Sequence, residues 1–218
     1  MTDRADSFDW SGGHPALDLV NTLDERPSDS PIEKLVTYRD LVRFARRAGL
    51  ITTSMSARLH RLDGRSGARV VERARELRER FHDVLAAAHS RRPPRRRDLD
   101  AISAAVQAAH AARVLVASPA RGLARHVWSP ASAPDIPLHA CSLAIERLVL
   151  EAEPGRVRKC GASDCDVYYL DTSKSRLRQW CSMTSCGNRE KQRRWRATGS
   201  TTRGARRGPG RAGRRAGA

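Results

Sequence analysis

Five cysteines, Cys141, Cys160, Cys165, Cys181 and Cys186, carry the most pointed chemistry in this sequence. The last four form two pairs, with four residues inside each pair and fifteen between the pairs. Zinc takes four soft ligands in a tetrahedron, and two close pairs on separate turns can supply them. Gly161 and Gly187 flank the first and last of these cysteines, where the backbone must turn tightly toward a metal. The spacing points to one zinc ion held by Cys160, Cys165, Cys181 and Cys186. Four thiolates close the coordination sphere, so the site reads as structural rather than hydrolytic. A pair of disulfides and an iron–sulfur cluster are the competing readings, and disulfides sit poorly with a chain showing no secretory leader. Cys141 falls on an apolar helical stripe and reads as a small core residue.

Anion binding is the second chemistry. The 218 residues include 41 Lys and Arg against 24 Asp and Glu, a formal charge of +17. Of the basic residues 37 are Arg and 4 are Lys, a skew that genomic base composition alone can produce, so position is more telling than total. Residues 1–154 hold 24 basic and 20 acidic side chains; residues 155–218 hold 17 and 4. The positive field therefore belongs to the C-terminal third. Lys174, Arg176 and Arg178 follow Asp171-Thr172-Ser173, and Arg189, Lys191, Arg193, Arg194 and Arg196 come just beyond Cys186. With Asn188 as N-cap, a helix there sets Arg189, Arg193 and Arg196 on one face and Trp195 against the cysteine module. A metal-pinned turn that delivers a short basic helix suits phosphates. DNA is the expected partner and an RNA- or protein-binding adaptor the runner-up, while a solvated helix face is the bland alternative.

The third constellation is His14, Asp18 and Asn21, at i, i+4 and i+7 of one helix. Such a polar face either binds a small-molecule or protein effector or makes caps and helix-to-loop hydrogen bonds. No spacing elsewhere pairs a nucleophile with a base, so an enzyme is not expected; one would need a pocket around these three residues.

The elements that must position these groups are mainly helical. Apolar residues mark a short helix within His14 to Leu23, and Phe8 and Trp10 upstream read as aromatic plugs. Thr37 caps a second helix that Gly49 stops. The clearest periodicity runs from Ala68 to Ala88, with Val70, Ala74, Leu77, Phe81, Val84, Leu85 and Ala88 inward and Arg and Glu filling the outer face. A further helix starts near Asp98 or Asp100 and runs to about His110. Segments 113–117 and 123–128 suggest a small β-hairpin, and Asp63-Gly64 an ordinary turn. Leu138 to Ala152 repeats the amphipathic pattern with Leu138, Cys141, Ala144, Ile145, Leu148, Val149 and Ala152 inward, ending at Pro154-Gly155. Val167 to Leu170 is a strand between the cysteine pairs, and Trp180 packs over the metal site. The expected organisation is a helical domain over 1–153, a small four-cysteine zinc module with a short strand and a basic helix over 155–198, and a disordered Arg/Gly/Ala-rich tail over 199–218. The longest stretch free of Asp, Glu, Lys and Arg is 12 residues, Ala101 to Ala112, too short to span a bilayer. The expectation is a cytoplasmic protein with no membrane partner.

The C-terminal segment KCGASDCDVYYLDTSKSRLRQWCSMTSCGNREKQRRWRA contains Cys186-Gly187-Asn188-Arg189. It resembles the bacterial CGNR zinc-finger proteins, described as stress-induced transcription regulators. The segment FDWSGGHPALDLVNTL, from Phe8 to Leu23, resembles the start of the domain that precedes this finger in the family. The resemblance implies the same four metal ligands, Cys160, Cys165, Cys181 and Cys186, and a DNA-contacting set at Arg189 and the basic positions after it. Gln179 stands in a stretch that is Arg-rich in the family, which implies one contact fewer. A lone short helix holds DNA weakly, so a homodimer formed through the N-terminal domain is expected.

Overall fold

The computed structural model describes residues 8–62, 65–118 and 122–204; the expected turn at Asp63-Gly64 and residues 205–218 of the tail lie outside these. The chain divides into two compact units, Met1–Cys181 and Ser182–Ala218.

The first unit is built on helices. α1 (Pro15–Val20) starts from His14, whose Nδ1 accepts the Ala16 N–H, with Pro15 pre-set in the first helical position. α2 (Tyr38–Arg47) opens on a reciprocal capping box between Thr37 and Asp40, and Gly49 follows its last turn at φ +72°. α4 (Arg65–His89) and α6 (Ile136–Glu151) are the long helices that the apolar periodicity anticipates, and α5 (Arg96–Ala111) is the helix expected from near Asp98 or Asp100, begun slightly earlier. α3 (Thr53–Leu59), capped by Thr52, was not anticipated, because its seven residues bury only Ser56 and Leu59. One core gathers Leu17, Leu19 and Val20 of α1, Leu41 and Phe44 of α2, Phe81 of α4 and Ile145 of α6. Trp10 stacks on Phe44 at 5.5 Å and Phe8 meets both rings edge-on, as aromatic plugs should. β3 (Arg113–Ala117) and β4 (Ala124–Trp128) form the expected antiparallel hairpin, with Arg113 opposite Trp128.

Three expectations are corrected here. Arg78 is not on an outer face of α4: it is 2% exposed, forked onto Glu33 by two 2.7 Å hydrogen bonds and bonded to Thr22 Oγ1. That ion pair ties β2 (Ile32–Glu33), which pairs with β1 (Leu23–Asp24), to the core helix. A guanidinium is tolerated there because Glu33, Glu79 and Thr22 satisfy it. Val149 of α6 faces outward, as does Ala88 at the end of α4.

The first unit also contains a third antiparallel pair, the hairpin of β5 (Val157–Lys159) with β6 (Tyr168–Leu170). β6 covers the strand expected between the cysteine pairs. Tyr168 joins the helical core, and Tyr169 is fully buried.

The second unit starts at Ser182, whose hydroxyl caps a π-helical turn, Met183–Gly187, that leads into α7 (Asn188–Gly204). Ser182 rather than Asn188 therefore opens the helix; the Asn188 side chain donates back to the Thr184 carbonyl. α7 runs on to Gly204, into the 199–218 segment read as the tail.

Candidate metal centre

The centre is assembled by tight backbone turns. The Cys160 N–H donates to the Val167 carbonyl at 2.8 Å, closing the end of the β5–β6 hairpin. The Gly161 N–H donates to Gln179 O at 2.8 Å, and a Cβ at Gly161 would stand 3.1 Å from that oxygen. Cys165 turns back onto Ala162 O. Between Leu170 and Cys181 the chain is organised by Asp171, which is fully buried and accepts from the Ser173 N–H, the Ser173 hydroxyl and the Arg178 N–H. These bonds, the Ser173 hydroxyl foremost, hold its carboxyl below the usual range.

The Sγ atoms of Cys160, Cys165, Cys181 and Cys186 all lie within 4.8 Å of one another, and those of Cys165 and Cys181 are 3.9 Å apart. Ligands about 2.3 Å from a tetrahedral zinc would be about 3.8 Å from each other, so the spacing fits such an ion. Cys160, Cys181 and Cys186 are buried and Cys165 is partly so. Thiol donation from Cys165 and Cys181 holds Cys160 far below the usual thiol range. In return the hydrogen bonds they donate to Cys160 push Cys165 up to about 12 and raise Cys181 as well. Four crowded sulfurs cannot all ionise on their own, and a divalent cation is what lets them do so. Two donors also point at sulfur: the Cys181 N–H at Cys160, 3.4 Å, and Arg189 Nη2 at Cys186, 3.2 Å. Such outer contacts orient metal-bound thiolates. Cys141 stands apart on α6, and burial pushes its thiol up to about 12. The geometry is compatible with a structural metal site.

The basic residues singled out from the sequence divide into two kinds. Arg178 is turned inward: its guanidinium lies 4.3 Å over the Tyr169 ring, and it donates to the carbonyls of Trp180 and Cys181. Arg176 pairs with Glu153, and its carbonyl accepts from Arg158. Arg189 touches the Cys186 sulfur, and Arg193 pairs with Glu190. Lys174, Lys191, Arg194 and Arg196 are exposed. Trp195, expected to lie against the module, is 77% exposed. Trp180 is half-buried.

His14 caps α1 by accepting the Ala16 N–H, while Asp18 and Asn21 are parts of one joint. Asp18 Oδ1 accepts the Gly12 N–H at 3.0 Å, and a Cβ at Gly12 would come within 2.6 Å of that oxygen, so only glycine fits. Burial pushes the Asp18 carboxyl up to about 7 against the pull of that N–H. The Asn21 amide forks onto the backbone of Tyr168, donating to its carbonyl at 3.0 Å and accepting its N–H at 3.1 Å. The Gly12 carbonyl accepts from Leu170 N at 2.8 Å. A second contact lies at His82 of α4, 3.0 Å from Asp166. Burial would raise the Asp166 carboxyl, but His82 and Lys159 hold it down at about 2. The hairpin that carries Cys160 and Cys165 is thus bolted to α1 and α4. Of the two readings of this polar face, the caps and helix-to-loop hydrogen bonds are what the structure shows; that the loop is the hairpin between the cysteine pairs was not legible from the spacing.

Fold and site together define a mainly helical protein with a four-cysteine centre of the zinc-binding kind in its C-terminal third. Residues 13–152 match the ABATE family, described as "Putative stress-induced transcription regulator", and residues 156–198 match the CGNR zinc finger. The chain belongs to the ABATE family and carries a CGNR zinc finger. No curated protein matches it. Among the described residues no helix is long and apolar enough to cross a membrane.

Proposed function

We propose that this protein is a cytoplasmic, non-enzymatic transcription regulator that holds one structural zinc ion and binds DNA through α7. The observation that carries the reading is the four-sulfur cluster immediately before a helix with exposed Lys191, Arg194 and Arg196. Cys160, Cys165, Cys181 and Cys186 hold the metal, whose part is to fix the turns around it. A helix so anchored presents cations to phosphates without first having to be ordered. Lys174 adds to this set; Arg178 and Arg176, spent on Trp180, Cys181 and Glu153, serve the fold of the loop instead. A regulatory rather than catalytic role agrees with four thiolates leaving no open metal position, and with His14, Asp18 and Asn21 each being used in backbone hydrogen bonds. A homodimer would place two such helices on one duplex.

The test is selection of bound fragments from a randomised duplex pool with the zinc-loaded full chain, followed by affinity measurements across a salt series. Changing Lys191, Arg194 and Arg196 together to Gln should weaken binding and lower the logarithmic salt slope by about 0.9 for each phosphate that the helix no longer neutralises. Unchanged affinity and slope, at unchanged metal content, would show that α7 is a solvated face. Tighter capture of an RNA pool than of any duplex would overturn the choice of DNA.

A further inference from the structure

A cavity of about 620 Å³ opens in the helical unit where the start of α1, the turn after α2, β4 and the outer half of α6 meet. Its size is that of sites that enclose a small organic molecule. Leu50, Ala144, Leu148 and Leu170 form an apolar wall, and Trp128 closes one side. The buried His139 ring stacks on Trp128 at 6.1 Å, which holds the indole in place. The polar lining is His14, Arg113, His126, Arg147 and Glu151, with one carboxylate among them. Arg113 and Arg147 bring two guanidiniums against one carboxylate, Glu151, and Glu151 is already taken by Arg147 at 2.9 Å.

Arg113 is the exception among the half-buried arginines. Arg26, Arg43, Arg75, Arg156 and Arg158 each hold a carboxylate or a carbonyl. Arg113 makes no hydrogen bond or ion pair with any described residue; its contact is the Trp128 ring, 6.0 Å away. A half-buried guanidinium without a hydrogen-bonding anion gives up hydration for little return. His14 also lines the cavity. Burial, and then the charge of Arg147, lower its pKa, so the ring is neutral near pH 7. Since Nδ1 accepts the Ala16 N–H, the proton sits on Nε2 as a second donor.

We propose that this cavity binds a small monocarboxylate with an aromatic or branched apolar body, its carboxylate on Arg113 and its body against Trp128, Ala144 and Leu148. An apolar chamber with one unpaired guanidinium selects such a molecule over a neutral or cationic one of the same shape. The inference stands apart from nucleic-acid binding, which involves none of these residues. Leu170, in the cavity wall, lies on β6 of the hairpin that carries Cys160.

The test is calorimetric titration of the intact zinc-loaded chain with naphthoate and isocaproate, and with naphthylmethanol and naphthylmethylamine as neutral and cationic controls. The expected result is saturable one-site binding of at least one carboxylate, with the alcohol at least about tenfold weaker and the amine silent. Arg113→Gln should reduce carboxylate affinity about tenfold without changing the melting temperature, and Leu143→Trp, which fills the cavity, should abolish binding. Absence of saturable binding by both carboxylates, or equal binding of alcohol and carboxylate, would overturn the proposal on the parent protein alone. So would full affinity in a folded Arg113→Gln.

Discussion

The two halves of the cysteine module differ in what holds them. In the hairpin half, Tyr168 and Tyr169 are buried, Asn21 clamps the Tyr168 backbone at both its N–H and its carbonyl, and Asp166 is held by His82 and Lys159. In the half that starts at Ser182, the buried residues among those described are Cys186 and Gly187, and the one large aromatic ring is 77% exposed. By family match the finger begins at residue 156, whereas by packing the chain divides after Cys181. A short polar helix is marginal in water unless something fixes an end of it. The hairpin half is packed into a hydrophobic core, and on the proposed reading the helix half depends on the metal that Cys186 would help to hold.

That contrast predicts its own largest effect. Cys186→Ser should drop bound zinc from stoichiometric to substoichiometric and melt α7, because structural zinc in small fingers contributes about 10–16 kcal/mol of apparent binding energy. Elemental analysis and far-UV circular dichroism measure both, and Cys141→Ala, buried away from the cluster, should leave the metal content unchanged. A full zinc complement in Cys186→Ser would remove that residue from the ligand set.

Asn21→Ala should come next. It strands a buried N–H and a buried carbonyl on β6, at about 1–3 kcal/mol for each group left unsatisfied. Denaturant unfolding should show the loss in the helical unit's transition, with zinc still bound. A change below about 0.5 kcal/mol, the range of neutral surface substitutions, would mean that the fork does not hold the hairpin.

The smallest effect has the opposite sign. Asp18 has a folded pKa of about 7 against an ordinary 3.8. Its folded form prefers the proton, so Asp18 contributes most below the ordinary value, and stability is lost as the pH climbs toward and through 7. Asp18→Asn keeps an acceptor for the Gly12 N–H without the charge. The variant should melt a few degrees above the parent near pH 8, with the gap closing toward pH 5. A gap that widens on acidification would contradict the assignment of burial as the cause.

Much of this architecture can be read locally. The cap at Thr37, the long stripes of α4 and α6, and the paired cysteines all sit within a few residues or a regular period. What escaped reading was set by distance along the chain or by weak pattern. Asn21 and Tyr168 are 147 residues apart, so nothing near Asn21 tells a clamp from a ligand site. Arg78 looks like one more solvated arginine on α4 until Glu33, 45 positions away, is placed beside it. α3 is too short for periodicity to register, and the Arg178 side chain is drawn inward by carbonyls that come into reach when the loop closes around Asp171.

Hydrogen exchange followed by mass spectrometry on the intact chain, with zinc bound and after chelation, tests the division between the two halves most directly. The account predicts that residues 183–197 lose protection when the metal is removed, while β5 and β6, Val157–Lys159 and Tyr168–Leu170, keep theirs together with α1 and α4. Simultaneous loss of protection in β5, β6 and residues 183–197, with α4 unchanged, would show that the finger folds as one metal-dependent body and that the joint at Asn21 does not anchor its first half.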